Sequence, residues 1–183
     1  MRIKTTDYKN FINITKDILF DEDFQKLKEE YHHGNTNRYD HSIRVALNVY
    51  KLSKNQNIDY ISATRGALLH DFFLREQVGY KMLNELTIHP EIAVKNSIKK
   101  FNINDHEQDI IRTHMYPITN EIPKTKEALL VSIIDKKISV KEGCKYNLLK
   151  RNLQVIDIKD IDLNKYKLKE KEILNIINSK AVA

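Results

Sequence analysis

Residues 66–71 read GALLHD: an apolar run that ends in His70 and Asp71, two adjacent metal-competent side chains. Adjacent residues on a helix point about 100° apart. One of the pair can therefore bind a metal from the side while the other reaches between two metals. A buried imidazole and a buried carboxylate need partners, because desolvating them alone is costly. The question is which other residues meet them.

Composition narrows the setting. A chain of 183 residues suits one domain, 1–183, with at most an appendage. Four glycines and three prolines are too few for many tight turns, which points to helices. The single cysteine, Cys144, excludes an intramolecular disulfide and a Cys-rich zinc site. No apolar stretch follows Arg2 and Lys4, so no signal peptide is expected. The longest apolar run, around 128–134, is too short to span a bilayer. A soluble cytoplasmic protein with no membrane partner is expected. The net charge of +6 fits a lysine-rich solvated surface, or an attraction for anionic substrates such as nucleotides. No basic block is dense enough to argue for nucleic-acid binding.

Helical spacing recurs along the chain. Residues 7–31 form two short helices, the first capped by Asp7, with a break over 19–23. A loop, HHGNTN, covers 32–37, with Gly34 as a C′ residue. His32 and His33 stand there as exposed loop residues; the functional alternative has His33 overhanging the active site. The next helix runs from about Tyr39 to Asn55, with His41, Val45, Val49 and Leu52 on one face. Asp59 caps the helix that reaches His70-Asp71, in which Ala63 and Ala67 permit close helix approach. A short helix is expected near 77–85, and His89-Pro90 should precede another with Pro90 in its first turn. Asp105 caps a helix ending near His114. The most apolar helix covers about 125–142, with Leu130, Val131, Ile134 and Ile138 on its buried side and Asp135 among them. An aspartate buried there needs a partner. Beyond it, 153–158 reads as a short strand or crossover and 165–179 as a helix, which makes 150–183 a C-terminal extension.

Helix faces and ends thus offer His41, His70, Asp71, His89, His114 and Asp135 to one interior. Nitrogen and carboxylate donors without thiolate suit Fe, Mn, Zn or Co better than Ca. Six protein ligands are too many for one catalytic ion with an open position. They fit two ions sharing a carboxylate, and Asp71 is the natural bridge.

These residues resemble the HD-domain superfamily of metal-dependent phosphohydrolases, whose pattern is His, then His-Asp, then a late Asp. RYDHSIRVA supplies His41, GALLHD supplies His70 and Asp71, and SIIDKK supplies Asp135. The dinuclear branch adds two histidines between the pair and the late Asp, which THPEIA and RTHMYP match with His89 and His114. The resemblance covers about 34–143 and is closest to small stand-alone bacterial members. Their relatives include hydrolases of symmetrical dinucleoside polyphosphates and the HD-GYP cyclic-dinucleotide phosphodiesterases. The periodicity predicts an all-α bundle of about seven or eight helices, and the resemblance implies two divalent transition-metal ions within it. Iron or manganese is expected first; zinc, cobalt and nickel are also compatible. Many hydrolytic members follow His-Asp with Ile-Gly-Lys, whose Lys meets a substrate phosphate. Here Phe72, Phe73, Leu74 and Arg75 follow, so Arg75 is a candidate replacement one position later. Gly79-Tyr80 shares letters with GYP but lacks the Pro.

The implied reaction is hydrolysis of a phosphoester or phosphoanhydride in a nucleotide or similar small phosphorylated substrate, by metal-activated hydroxide. Two divalent ions less two carboxylates and one hydroxide leave about +1, which favours a phosphate anion. Asp71 is expected to be catalytic as the bridge, with Lys136 and Arg75 as catalytic and substrate contacts. Arg112 and His33 are further substrate contacts. The alternatives are a mixed-valent diiron oxygenase on the same ligands, and a non-catalytic nucleotide-binding regulatory module. The intact ligand set argues against the latter.

Overall fold

In the computed structural model the described residues are 5–32, 36–79 and 82–143. They form eight α-helices and no strand: α1 (Thr5–Leu19), α2 (Glu22–Gln25), α3 (Arg38–Ser53), α4 (Tyr60–Leu69), α5 (Arg75–Val78), α6 (Met82–Lys100), α7 (Asp105–Thr113) and α8 (Lys126–Gly143). A 3₁₀ turn over Lys26–Lys28 follows α2. His33, Gly34, Cys144 and the expected extension over 150–183 lie outside the described residues. Among the described residues no helix is long and apolar enough to cross a membrane.

Side-chain caps set most of the helix starts. Asp21 accepts from the backbone of Asp23 and Phe24, and Asn37 from Asp40 N at 2.7 Å. Asp59 accepts from Ile61 N and Ser62 N, as its position before an apolar run suggests. The cap of α7 is Asn104 rather than Asp105. Asn104 is extended, and it exchanges side-chain bonds with Glu107 in a capping box, so Asp105 becomes the first helical residue.

Two other boundaries differ from the sequence expectation. The short helix is Arg75–Val78, stopped by Gly79 at φ 74, a left-handed backbone that a side chain would disfavour. His89 and Pro90 do not precede α6 but lie inside it, because the helix already starts at Met82. Pro90 has no N–H for the carbonyl one turn back, yet the helix runs through it, with Ala93 and Val94 buried on the next turn. On α3 the buried stripe is also shifted. It follows the i+4 ladder from His41, Val45 and Val49 to Ser53, while Leu52, about 100° round the helix from Ser53, is 49% exposed.

The core lies where α3 packs on α4 and α8, and α7 packs on α4, α6 and α8. It is built on Leu47, Leu68, Leu69, Ile110, Ile111 and Ile138, with Phe11, Ile18, Phe24 and Leu27 closing it on the α1–α2 side. The α4–α7 approach is close: a Cβ placed on Gly66 would stand 2.6 Å from Ile110 Cγ2. Polar clamps fix the frame around it. Arg65 on α4 donates to Glu107 on α7 and to the Ile14 carbonyl on α1. Glu127 on α8 accepts from Asp59 N at the head of α4. The ends of α4 and α7 and the middle of α8 are thereby brought to one place.

Candidate metal centre

Those three elements, with α3 and α6, deliver all six side chains named from the sequence to one buried cluster. His41 comes from the first turn of α3, and His70 caps α4 with Asp71 directly after it. His89 is on α6, His114 caps α7, and Asp135 sits mid-way along α8. Each of the six is no more than 5% exposed.

Hydrogen bonds on the far side of two rings fix which nitrogen faces the cluster. His70 Nδ1 lies 2.7 Å from the Ala67 carbonyl, and His114 Nδ1 lies 2.7 Å from the Ile111 carbonyl. A carbonyl only accepts, so both Nδ1 atoms carry a proton, and Nε2 is the nitrogen that each ring turns to the cluster. His70 Nε2 is buried and has no hydrogen-bond partner. Its nearest carboxylate oxygens are Asp135 Oδ1 at 3.6 Å and Asp71 Oδ2 at 3.7 Å. His89 Nε2 stands 2.9 Å from His114 Nε2 and 3.2 Å from Asp71 Oδ1.

Asp71 divides its two oxygens between two sets of rings. Oδ1 faces His89 and His114, at 3.2 and 3.7 Å. Oδ2 faces His70 and His32, both at 3.7 Å. Asp135 Oδ1 takes His41 Nε2 at 3.0 Å and the Ser139 hydroxyl at 3.2 Å, and its Oδ2 takes Lys136 Nζ at 3.0 Å.

Charge follows this geometry. Burial raises both carboxyls, but His70, His89 and His32 around Asp71 hold it well below the usual carboxylate range. Against the same burial, His41, His70 and Lys136 do so for Asp135. His114 is driven well below the ordinary imidazole value by burial first, then by His70, His89 and Lys136, so it stays a neutral donor. His41 is the opposite case. Burial, its largest influence, pushes it down, but hydrogen bonds to Asp135 and Glu142 outweigh that and push it up to about 10.

The donor set suits metal ions. Three overlapping trios, His41/His70/Asp71, His70/His114/Asp135 and Asp71/His89/His114, each bring their ligand atoms within 4.8 Å of one another. Two nitrogens each about 2.1 Å from one ion stand roughly 3.0–3.4 Å apart, close to the spacings found here. Ionised carboxylates, the neutral His114 imidazole and the buried His70 nitrogen without a partner are donors a divalent transition metal takes.

Two site residues went unrecognised in the sequence. His32 is not an exposed loop residue. Tyr31 and Asn37 pair across the loop, and His32 N bonds the Thr36 carbonyl. This lays the ring 4.1 Å from that of His41, with the side chain only 14% exposed. Glu142, in the last turn of α8, lies 2.7 Å from His41 Nδ1 and pairs with Arg44. Of the expected substrate contacts, Lys136 borders the cluster, bonding Asp135 and the His114 carbonyl. Arg75 is exposed at the head of α5, and its backbone N–H donates to Glu30. Arg112 is held by Glu91 at 2.5 Å on the surface between α7 and α6.

The HD-domain family pattern matches residues 38–138. The chain belongs to the HD-domain family. HD domains bind divalent metals, their superfamily is one of metal-dependent phosphohydrolases, and the six clustered side chains lie in the matched stretch. Ribonuclease Y of Malacoplasma penetrans (strain HF-2) is 28% identical over 106 residues, which are 58% of this chain and 21% of that protein. This HD-domain chain therefore covers about a fifth of that relative's length. No solved structure matches.

Proposed function

We propose that this HD-domain protein hydrolyses a phosphoester or phosphoanhydride of a small nucleotide-like substrate at a centre for two divalent metal ions. The observation that carries the proposal is the split of Asp71: one oxygen toward His89 and His114, the other toward His70. A carboxylate divided in this way suits a bridge. The first ion would be held by His41, His70, Asp71 and Asp135, and the second by Asp71, His89 and His114. Such a pair supplies a Lewis-acid clamp for phosphoryl oxygens and lowers the pKa of attacking water.

The chain's own residues do the rest. Asp71 and Asp135 offset only part of the metal charge, which leaves the centre attractive to an anion. Lys136 is anchored beside Asp135 with its side chain 25% exposed, which suits contact with a phosphoryl oxygen. His32, on the less buried border of the cluster, suits a second contact. The ring of Phe73 lies 4.9 Å from that of His89, and the buried Arg38 guanidinium lies 3.8 Å from the Phe73 centroid. Together they hold the segment after Asp71 and keep water from that side.

The likeness to a ribonuclease brings a nucleic-acid diester into the test, while the lack of a dense block of basic residues in the sequence favours a small substrate. The test is a panel of mononucleotides, dinucleoside polyphosphates, cyclic dinucleotides and a short oligoribonucleotide, offered to Mn- or Fe-loaded protein. Metal-dependent release of phosphate or nucleotide from a small member supports the proposal. A fully loaded protein that is inert on the panel but consumes oxygen with an organic substrate would transfer it to the oxygenases.

A further inference from the structure

Three histidines of the cluster can be compared by what fixes their outer nitrogen. His70 and His114 each give Nδ1–H to a backbone carbonyl of their own helix, three residues back. His41 differs. Its Nδ1 lies 2.7 Å from a carboxylate oxygen of Glu142, 101 residues away, and the other Glu142 oxygen pairs with Arg44. Glu142 is 6% exposed and Arg44 14%, so the chain Arg44–Glu142–His41–Asp135 runs inward with little access to water. Glu142 also lies past residue 138, where the family match ends.

We infer that Glu142 is a positioning residue: it accepts the Nδ1 proton of His41 and fixes that ring with its Nε2 lone pair aimed at the metal centre. The inference rests on the proposed role of His41 as a ligand. A carboxylate behind a ligating histidine fixes its tautomer and orientation and raises its basicity, and removing it typically costs about 10- to 100-fold in metal affinity or activity. A buried carboxylate needs its charge compensated, and Arg44 does this on the oxygen that His41 leaves.

His32, His41 and Glu142 also bring ligand atoms within 4.8 Å of one another, as a third cation site would. Two features argue for the hydrogen bond instead. A separation of 2.7 Å matches a charge-assisted N–H···O bond and is short of the roughly 3.0 Å expected for two ligands at right angles on one ion. The Arg44 guanidinium also meets any cation there with a like charge.

The test is a calorimetric Mn²⁺ titration of the metal-stripped full chain, comparing wild type with His41→Ala, Glu142→Ala and Glu142→Gln. Alongside it, ¹H–¹⁵N spectra of imidazole-labelled, Zn²⁺-loaded protein report the His41 Nδ1–H directly. Glu142→Ala should weaken one of two Mn²⁺ sites by about 10- to 100-fold and leave the other unchanged. Glu142→Gln keeps an acceptor and should recover part of that loss, so it serves if the alanine variant does not fold. A strongly downfield Nδ1–H resonance should vanish in His41→Ala and Glu142→Ala and persist, moved upfield, in Glu142→Gln. Unchanged affinity at both sites, equal loss at both, or a resonance that survives in Glu142→Ala overturns the inference. If His41→Ala loses one ion and Glu142→Ala does not, His41 stands as a ligand and only the positioning role falls. If His41→Ala keeps both ions, the ligand reading fails first and takes this inference with it.

Discussion

Gly66→Ala tests whether α4 and α7 approach as closely as described. The added methyl would stand 2.6 Å from Ile110 Cγ2, 2.9 Å from Ile110 Cβ and 3.3 Å from Ile110 Cδ1. Carbon atoms prefer about 3.5–4.0 Å, so roughly 1 Å of movement is needed. Ile110 is fully buried and β-branched, which leaves few rotamers to escape into. Overpacking of this kind costs about 1–3 kcal/mol, and the better helix propensity of alanine returns about 0.8–1 kcal/mol. The net loss, about 0–2 kcal/mol, corresponds to at most about 8 °C in a chain of this size. Thermal and urea unfolding in EDTA measure it without the contribution of bound metal. Ile110→Ala alone should cost about 2–5 kcal/mol. In the double variant the two losses should sum to less than their separate values, with a coupling of about 1 kcal/mol or more. A Gly66→Ala protein as stable as wild type, with no coupling to Ile110, would refute this packing. It would also undo the placement of His70 and His114, which end these two helices with ring centroids 4.8 Å apart.

Lys136→Ala should leave metal content unchanged and cut turnover by about 30- to 1000-fold, the range for one charged contact worth roughly 2–4 kcal/mol in the transition state; metal analysis beside steady-state kinetics checks both halves. Arg75→Ala in the same assay asks whether Arg75 replaces the family lysine, and a fall of at least about tenfold in kcat/KM is expected if it does. Arg112→Ala removes a surface pair with Glu91 and should change stability by less than about 1 kcal/mol, with a rise in KM in the same assay if Arg112 meets the substrate. For pH, His41 is raised from 6.5 to about 10 by its two carboxylates. In metal-stripped protein its contribution to stability is therefore full below pH 6.5 and lost as pH rises through 10. Urea midpoints over that window should fall in wild type and lose this slope in His41→Gln. A metal taking His41 Nε2 displaces that proton, so Mn²⁺ uptake should weaken as pH falls and release protons in weakly buffered titrations.

The helical architecture was legible because 3.6-residue spacing recurs in almost every segment and few Gly or Pro residues interrupt it. The six clustered side chains were legible because each lies on or at the end of an apolar helical stripe, in an ordered pattern. Positions set by contacts distant in sequence were not. Glu142 reads as one more charge near the end of a Lys/Glu-containing helix, and its meaning comes from His41 on another helix. His32 lies in a loop whose aim depends on the Tyr31–Asn37 pairing, which no periodicity encodes. Pro90 falls inside α6 because a preference for the first turn of a helix does not forbid the interior, and the turn after it is held by the buried Ala93 and Val94. Leu52 stays out of the core because the buried stripe on α3 drifts by about 40° every four residues, so that Ser53, and not the nearby leucine, follows Val49 inward.

The two-metal centre is tested most directly by anomalous diffraction at the absorption edge of the loaded metal, on crystals of the Mn- or Fe-loaded chain. Two peaks about 3.5–4 Å apart are expected, with Asp71 between them. One should lie beside Asp71 Oδ1 and the Nε2 atoms of His89 and His114, and the other beside Asp71 Oδ2, His41, His70 and Asp135. A single peak in fully loaded protein, or two peaks of which only one touches Asp71, would contradict this arrangement.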